Sequence, residues 1–167
     1  MIVNRQRNVR IPTAALGEFL SRARRALHLR AESVIVCLVT NSEMAHWNRA
    51  YRGKAGPTDV LSFPAGGSRR KQRKQTTQNY HGSRRRPSGE NAFVSASDDS
   101  NDSYLGDIAI APMVARRNAL RFGRTFGEEM RILILHGMLH LMGYDHETDA
   151  GEMERRERRL RRALGMS

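Results

Sequence analysis

"TFGEEMRILILHGMLHLMGYDH", residues 125–146, is apolar almost without a break from Ile132 to Met142, and it sets His136 and His140 inside that run. A helix that is apolar on nearly every side is a buried one. The stretch therefore predicts a central helix around which the remaining elements pack. Its start is marked by Thr125 and Glu128, a capping-box pair. Its end is marked by Gly143, since glycine readily takes the left-handed conformation that stops a helix. His136 and His140, four residues apart, lie about 40° apart around the axis and project side by side. The turn at Gly143 lets "YDH" bring His146 back toward them. Three of the chain's six histidines thus fall between residues 136 and 146, while His28, His46 and His81 show no spacing of this kind.

Three imidazoles converging in an apolar core need partners, because an unsatisfied buried polar group costs about 1–3 kcal/mol. One shared metal ion satisfies a nitrogen on each. The geometry suits Zn²⁺, one per chain, through His136, His140 and His146; three protein ligands leave a fourth position open, as in catalytic sites. The spacing also matches the zinc-protease signature H-E-x-x-H-x-x-G-x-x-H. Gly137 stands where that signature has its general-base Glu, so the metal site survives and the peptidase reading does not.

Outward from this helix, "MIVNRQ" (1–6) reads as a short strand. Pro12 opens a helix carrying Leu16, Phe19, Leu20, Ala23 and Leu27 at helical spacing. "SVIVCLVT" (33–40) is a strand apolar on both faces, and Asn41 or Ser42 caps a short helix through about Tyr51. "TDVLSFP" (58–64) and "YLGDIAIA" (104–111) are further strands, with Asp59 and Asp107 as structural caps. Pro112 opens a helix ending near Gly123. Asp149 and Glu152 cap the last one, "EMERRERRLRRALG" (152–165). Its six arginines and three glutamates read as a solvated face. Asp145 orients a ligand imidazole or stabilises its own turn. The sum is one α+β domain over 1–167: a small mixed β-sheet packed with helices around a buried central helix that carries the metal-binding histidines.

Residues 66–103 break the pattern. They hold eight Lys or Arg, four Asp or Glu and few apolar residues, a composition that cannot bury enough surface to order itself. The reading is a disordered insertion. Its basic half, 69–86, either holds RNA phosphates or has no role. The formal charge of +12 points to a polyanionic partner, nucleic acid first. The N-terminus has no apolar signal region. No run approaches the roughly 20 apolar residues of a membrane helix. A cytoplasmic protein is expected. Cys37, the single cysteine, lies in an apolar strand and reads as an inert core thiol.

A second loop carries chemistry. In "YRGKAGPTDVLSFP" (51–64), Arg52 and Lys54 flank Gly53. An arginine's planar fork binds phosphate oxygens in two places, and the hydroxyls of Thr58 and Ser62 are candidate phosphate contacts.

The histidine segment, this loop and "LGDIAIA" (105–111), in that family's order, resemble the YbeY-type rRNA maturation endoribonucleases, a bacterial metal-dependent family. The resemblance covers most of the chain outside the long basic connector, where relatives have a short one. It implies a single-strand-specific, zinc-dependent endoribonuclease that matures the 3′ end of small-subunit rRNA and serves ribosome quality control. It implies Arg52 and His136 as catalytic residues. The implied partners are rRNA and the small ribosomal subunit, with ribosomal proteins and a ribosome-assembly GTPase; oligomeric state stays open. No protein general base is evident, so that role falls to the metal centre or to His136, which cannot easily ligate metal and shuttle protons at once. The rival is a non-catalytic ribosome assembly factor with a structural zinc and an RNA-binding surface.

Overall fold

The strand over 33–40 is apolar on both faces because both faces are covered. In the computed structural model, which describes residues 1–65, 104–145 and 148–166, it forms β2 (Val34–Leu38) inside a four-stranded sheet. The order is β1-β2-β4-β3, with β1 (Ile2–Asn4), β3 (Val60–Pro64) and β4 (Gly106–Ile110). β1 and β4 run parallel to β2, whereas β3 runs antiparallel to β4. The sheet is therefore mixed, as expected. The predicted insertion at 66–103 lies outside the described residues.

Alternation along the strands separates two cores. Val34, Val36, Leu38, Ile108 and Ile110 join the larger one, with Phe19 and Leu20 of α1 (Thr13–Ala26). Cys37, Val39, Ala109 and Leu61 join the smaller one, with Met44 of α2 (Asn41–Arg52). Cys37 is buried, and burial, with Asp107's charge adding to it, pushes its thiol pKa up. That disfavours the reactive thiolate, in keeping with an inert core residue.

α3 (Pro112–Arg121) leads into α4 (Phe126–Leu141), the central helix, which touches α1, α3, β3, β4 and α5 (Glu152–Ala163). Thr125 and Glu128 cap α4 reciprocally: each side chain bonds the other residue's backbone N–H. Its far end closes at Gly143, at φ +91°. Gly143 N–H donates to the His140 carbonyl at 2.9 Å and Tyr144 N–H to that of Leu139 at 3.1 Å, the paired bonds of a Schellman stop. The buried side of α4 is tight at Gly137, where a side chain would have to displace Ile108. A Cβ there would lie 2.8 Å from Ile108 Cγ2. The position where the protease signature has its glutamate faces the sheet, not solvent.

Three expectations shift slightly. β1 is shorter than 1–6. The cap of α2 is Thr40, paired with Glu43 in a second capping box, rather than Asn41 or Ser42; the helix runs on to Arg52. Asp149 does cap the last helix, but from two residues ahead of its formal cap Gly151. Its carboxylate accepts from the N–H groups of Gly151, Glu152 and Met153 at 2.8–3.0 Å. Among the described residues no helix is long and apolar enough to cross a membrane.

Candidate active site

Between Ile132 and Leu141, α4 is buried except where it carries the histidines: His136 and His140 are half-buried amid fully buried neighbours. Both line a cleft of about 860 Å³. The end of α2, the loop after it and the strand β3 also line it, contributing Tyr51, Arg52, Thr58, Ser62 and Phe63. Arg52 stands 84 residues before His136 in the sequence, and the fold brings the two to one cleft. The junction is direct, since Ser62 Oγ donates to the Gly137 carbonyl of α4 at 3.3 Å.

The loop that presents Arg52 is fastened down. Gly53 takes the left-handed φ of +64° that ends α2. Asn48 Nδ2 donates to the Gly56 carbonyl at 2.9 Å. Asp59 accepts from Val60 N–H and, through its other oxygen, from Asn118 Nδ2 of α3, both at 2.9 Å. The structural reading of Asp59 follows. Asp107 is likewise engaged, accepting from Tyr104 Oη at 2.5 Å.

The two imidazoles face each other nitrogen to nitrogen. His136 Nε2 and His140 Nε2 are 3.1 Å apart, with the rings at 77°. Two nitrogens ligating one tetrahedral ion through arms of about 2.0–2.1 Å stand roughly 3.3–3.4 Å apart. The pair fits a shared metal. His146 lies outside the described residues, and among those described no three His, Cys, Asp or Glu side chains form a metal-holding group.

The other nitrogen of His136 has a partner that the sequence reading missed. Nδ1 lies 3.0 Å from Glu157 Oε2. The second Glu157 oxygen accepts from Arg161 Nη2, one helical turn on. Burial pushes the Glu157 pKa up, but the bond from His136 and the charge of Arg161 outweigh it and hold the carboxyl below its ordinary range. An ionised carboxylate can only accept, so Nδ1 carries the proton. That tautomer turns the Nε2 lone pair of His136 toward His140 and the cleft, the arrangement in which a carboxylate orients a metal-ligating imidazole. α5 is thus not a purely solvated face. A signal was available: Glu157 sits on the stripe of buried Met153 and Leu160, four residues after one and three before the other.

The remaining candidates divide. Lys54 is exposed and is not among the residues lining the cleft. Thr58 and Ser62 line it, but Thr58 Oγ1 donates to Asp59 Oδ1 at 3.1 Å and Ser62 Oγ to Gly137. Each hydroxyl has one proton, so in this geometry neither has a second to give to a phosphate. Asp145 lines the cleft, and its turn is explicit, with its carbonyl accepting from Thr148 and Asp149 N–H at 3.1 and 2.9 Å.

A mixed sheet, a central helix that brings two facing imidazoles to a cleft, and an arginine lining the same cleft define an α+β protein with a histidine–arginine site. The comparisons agree. Residues 1–165 match the model of the family described as Endoribonuclease YbeY. The curated Endoribonuclease YbeY of Koribacter versatilis is 37% identical over 98% of this chain and 85% of its own length. That of Methylococcus capsulatus is 34% identical over 93% and 85%. The solution structure of TM1509 from Thermotoga maritima superposes with a TM-score of 0.53 at 25% identity, over 98% of this chain and 89% of that one. The chain belongs to the endoribonuclease YbeY family, and so to a family of RNA-cleaving enzymes.

Proposed function

We propose that the protein is a zinc-dependent, single-strand-specific endoribonuclease of the cytoplasm. It processes rRNA, at the 3′ end of the small-subunit rRNA, and serves ribosome quality control. The observation that carries the reading is the meeting, in one cleft, of two imidazole nitrogens at metal-sharing distance and an arginine suited to phosphate. His136, His140 and His146 would hold the ion. When bound, zinc would supply Lewis-acid polarisation of a phosphate oxygen or an activated water. Arg52 would hold the scissile phosphate and stabilise charge on its oxygens. Glu157 would fix the His136 tautomer. With Nδ1 given to Glu157 and Nε2 to the metal, His136 has no nitrogen left for proton transfer while zinc is bound. This favours ligation as its role. The partners would be rRNA and the small ribosomal subunit, with ribosomal proteins and an assembly GTPase.

The purified protein is expected to carry about one zinc per chain, and affinity should fall in acid, because protons compete with the ion for imidazole nitrogen. Metal analysis of His140→Ala checks this; unchanged zinc content would sink the site. Zinc removal by chelation should stop cleavage of single-stranded RNA, and added zinc should restore it.

Glu157→Ala is expected to keep the three ligands yet bind zinc about 10- to 100-fold more weakly, the usual cost of losing an outer carboxylate. Competition with a chelating dye measures it. Glu157→Gln, which still accepts from Nδ1, should recover part of the loss. Equal zinc affinity in all three proteins would show that the carboxylate has no hold on the site.

A further inference from the structure

We infer that Tyr51, held in place by Phe63, is a stacking platform for a nucleobase of the RNA strand, adjoining the phosphate held at Arg52. The inference rests on the RNA-cleaving reading and adds to it a recognition element for unpaired bases. Tyr51 is 69% exposed, whereas the other aromatic of the same helix, Trp47, packs against the smaller core. It borders the same cleft as Arg52, His136 and His140. Its ring meets Phe63 edge to face, with centroids 5.1 Å apart at 74°. Phe63 in turn meets Trp47 at 5.9 Å and 81°.

This arrangement braces the ring from one side while most of its surface stays in water. A braced aromatic has little conformational freedom left to lose on binding. Every base offers a π-face, so such a ring accepts bases without regard to sequence. Its chain neighbour Arg52 supplies the complementary charge for the phosphate. A base held in a duplex is already paired and stacked, and cannot splay out onto Tyr51. The platform would therefore favour single strands by its chemistry alone.

The test uses zinc-loaded protein and a short single-stranded oligoribonucleotide carrying 2-aminopurine, whose fluorescence is quenched by stacking. Mixing is followed before cleavage proceeds, and KM and kcat are then measured. Tyr51→Ala should lose the quenching and raise KM roughly 5- to 150-fold, the range for one lost stack, with kcat changed much less. Tyr51→Phe should retain both quenching and KM. The exposed position makes loss of fold in either variant unexpected, and thermal melting checks it. Wild-type quenching and KM in Tyr51→Ala would overturn the platform and leave the ring as a surface for a protein partner. Failure of the wild-type protein itself to bind or cleave the oligoribonucleotide would overturn the RNA reading and this inference together.

Discussion

Arg52→Ala is expected to keep its zinc and its melting temperature, yet to cleave RNA about 10²–10³-fold more slowly, the scale for removing one electrostatic stabiliser of a transition state. The fold explains why the effects should separate. Arg52 ends α2 as an exposed residue, so its side chain supports neither core. It borders the same cleft as the imidazoles and is none of the proposed ligands. The end of its helix is fixed by backbone bonds, with Gly53 N–H donating to the Arg49 carbonyl at 3.1 Å and Lys54 N–H to that of Asn48 at 3.3 Å, and these survive the substitution. Arg52→Lys should restore only part of the rate, because an ammonium cannot grip two phosphate oxygens as a planar fork does. Single-turnover rates beside zinc content make the comparison. A variant that cleaves at the full rate would remove Arg52 from the chemistry and favour the non-catalytic assembly factor.

Gly106→Ala is expected to cost roughly 2–6 kcal/mol, by two routes that add. Gly106 sits at φ +137°, a conformation close to exclusive to glycine, which strains another residue by about 1–3 kcal/mol. An added Cβ would also lie 2.1 Å from the Phe63 carbonyl oxygen and 2.9 Å from Pro64 Cα and Ala65 N. All three are backbone atoms and cannot swing aside, so the β3–β4 pair must part. Overpacking of this kind costs a further 1–3 kcal/mol or so. Gly53→Ala is the control. It too has a positive φ, +64°, but nothing lies within 4 Å of its Cβ position, so only strain of about 1 kcal/mol remains. Denaturant titration of the two variants should separate them clearly. Equal stabilities would mean that β3 and β4 do not approach as closely as described.

The elements were legible because each carried its own local signal. Thr125 and Glu128 announced α4, and Gly143 closed it. The apolar run at 33–40 announced a strand covered on both sides. Family resemblance pointed to Arg52, but nothing local could say that β3 would lie beside α4, since that depends on the register Phe63↔Asp107 and its neighbours, set between distant segments. The order β1-β2-β4-β3 was hidden for the same reason. Gly137 shows the limit from another side. The missing glutamate is legible in the sequence; that a side chain there would have to displace Ile108 is not. Glu157 was overlooked because its charge was grouped with those of its helix neighbours. Its place between Met153 and Leu160 was the better guide, since a carboxylate on a buried stripe requires a partner.

The central claim is that the histidine–arginine cleft cuts RNA with a metal held by α4 and the turn after it. Mapping the ends of a single-stranded rRNA fragment, incubated with zinc-loaded wild-type protein and with His140→Ala in parallel, tests it most directly. The account predicts discrete cuts by the wild-type protein, their absence with His140→Ala, and little cutting of the same sequence in a duplex. Identical cuts by both proteins would contradict it.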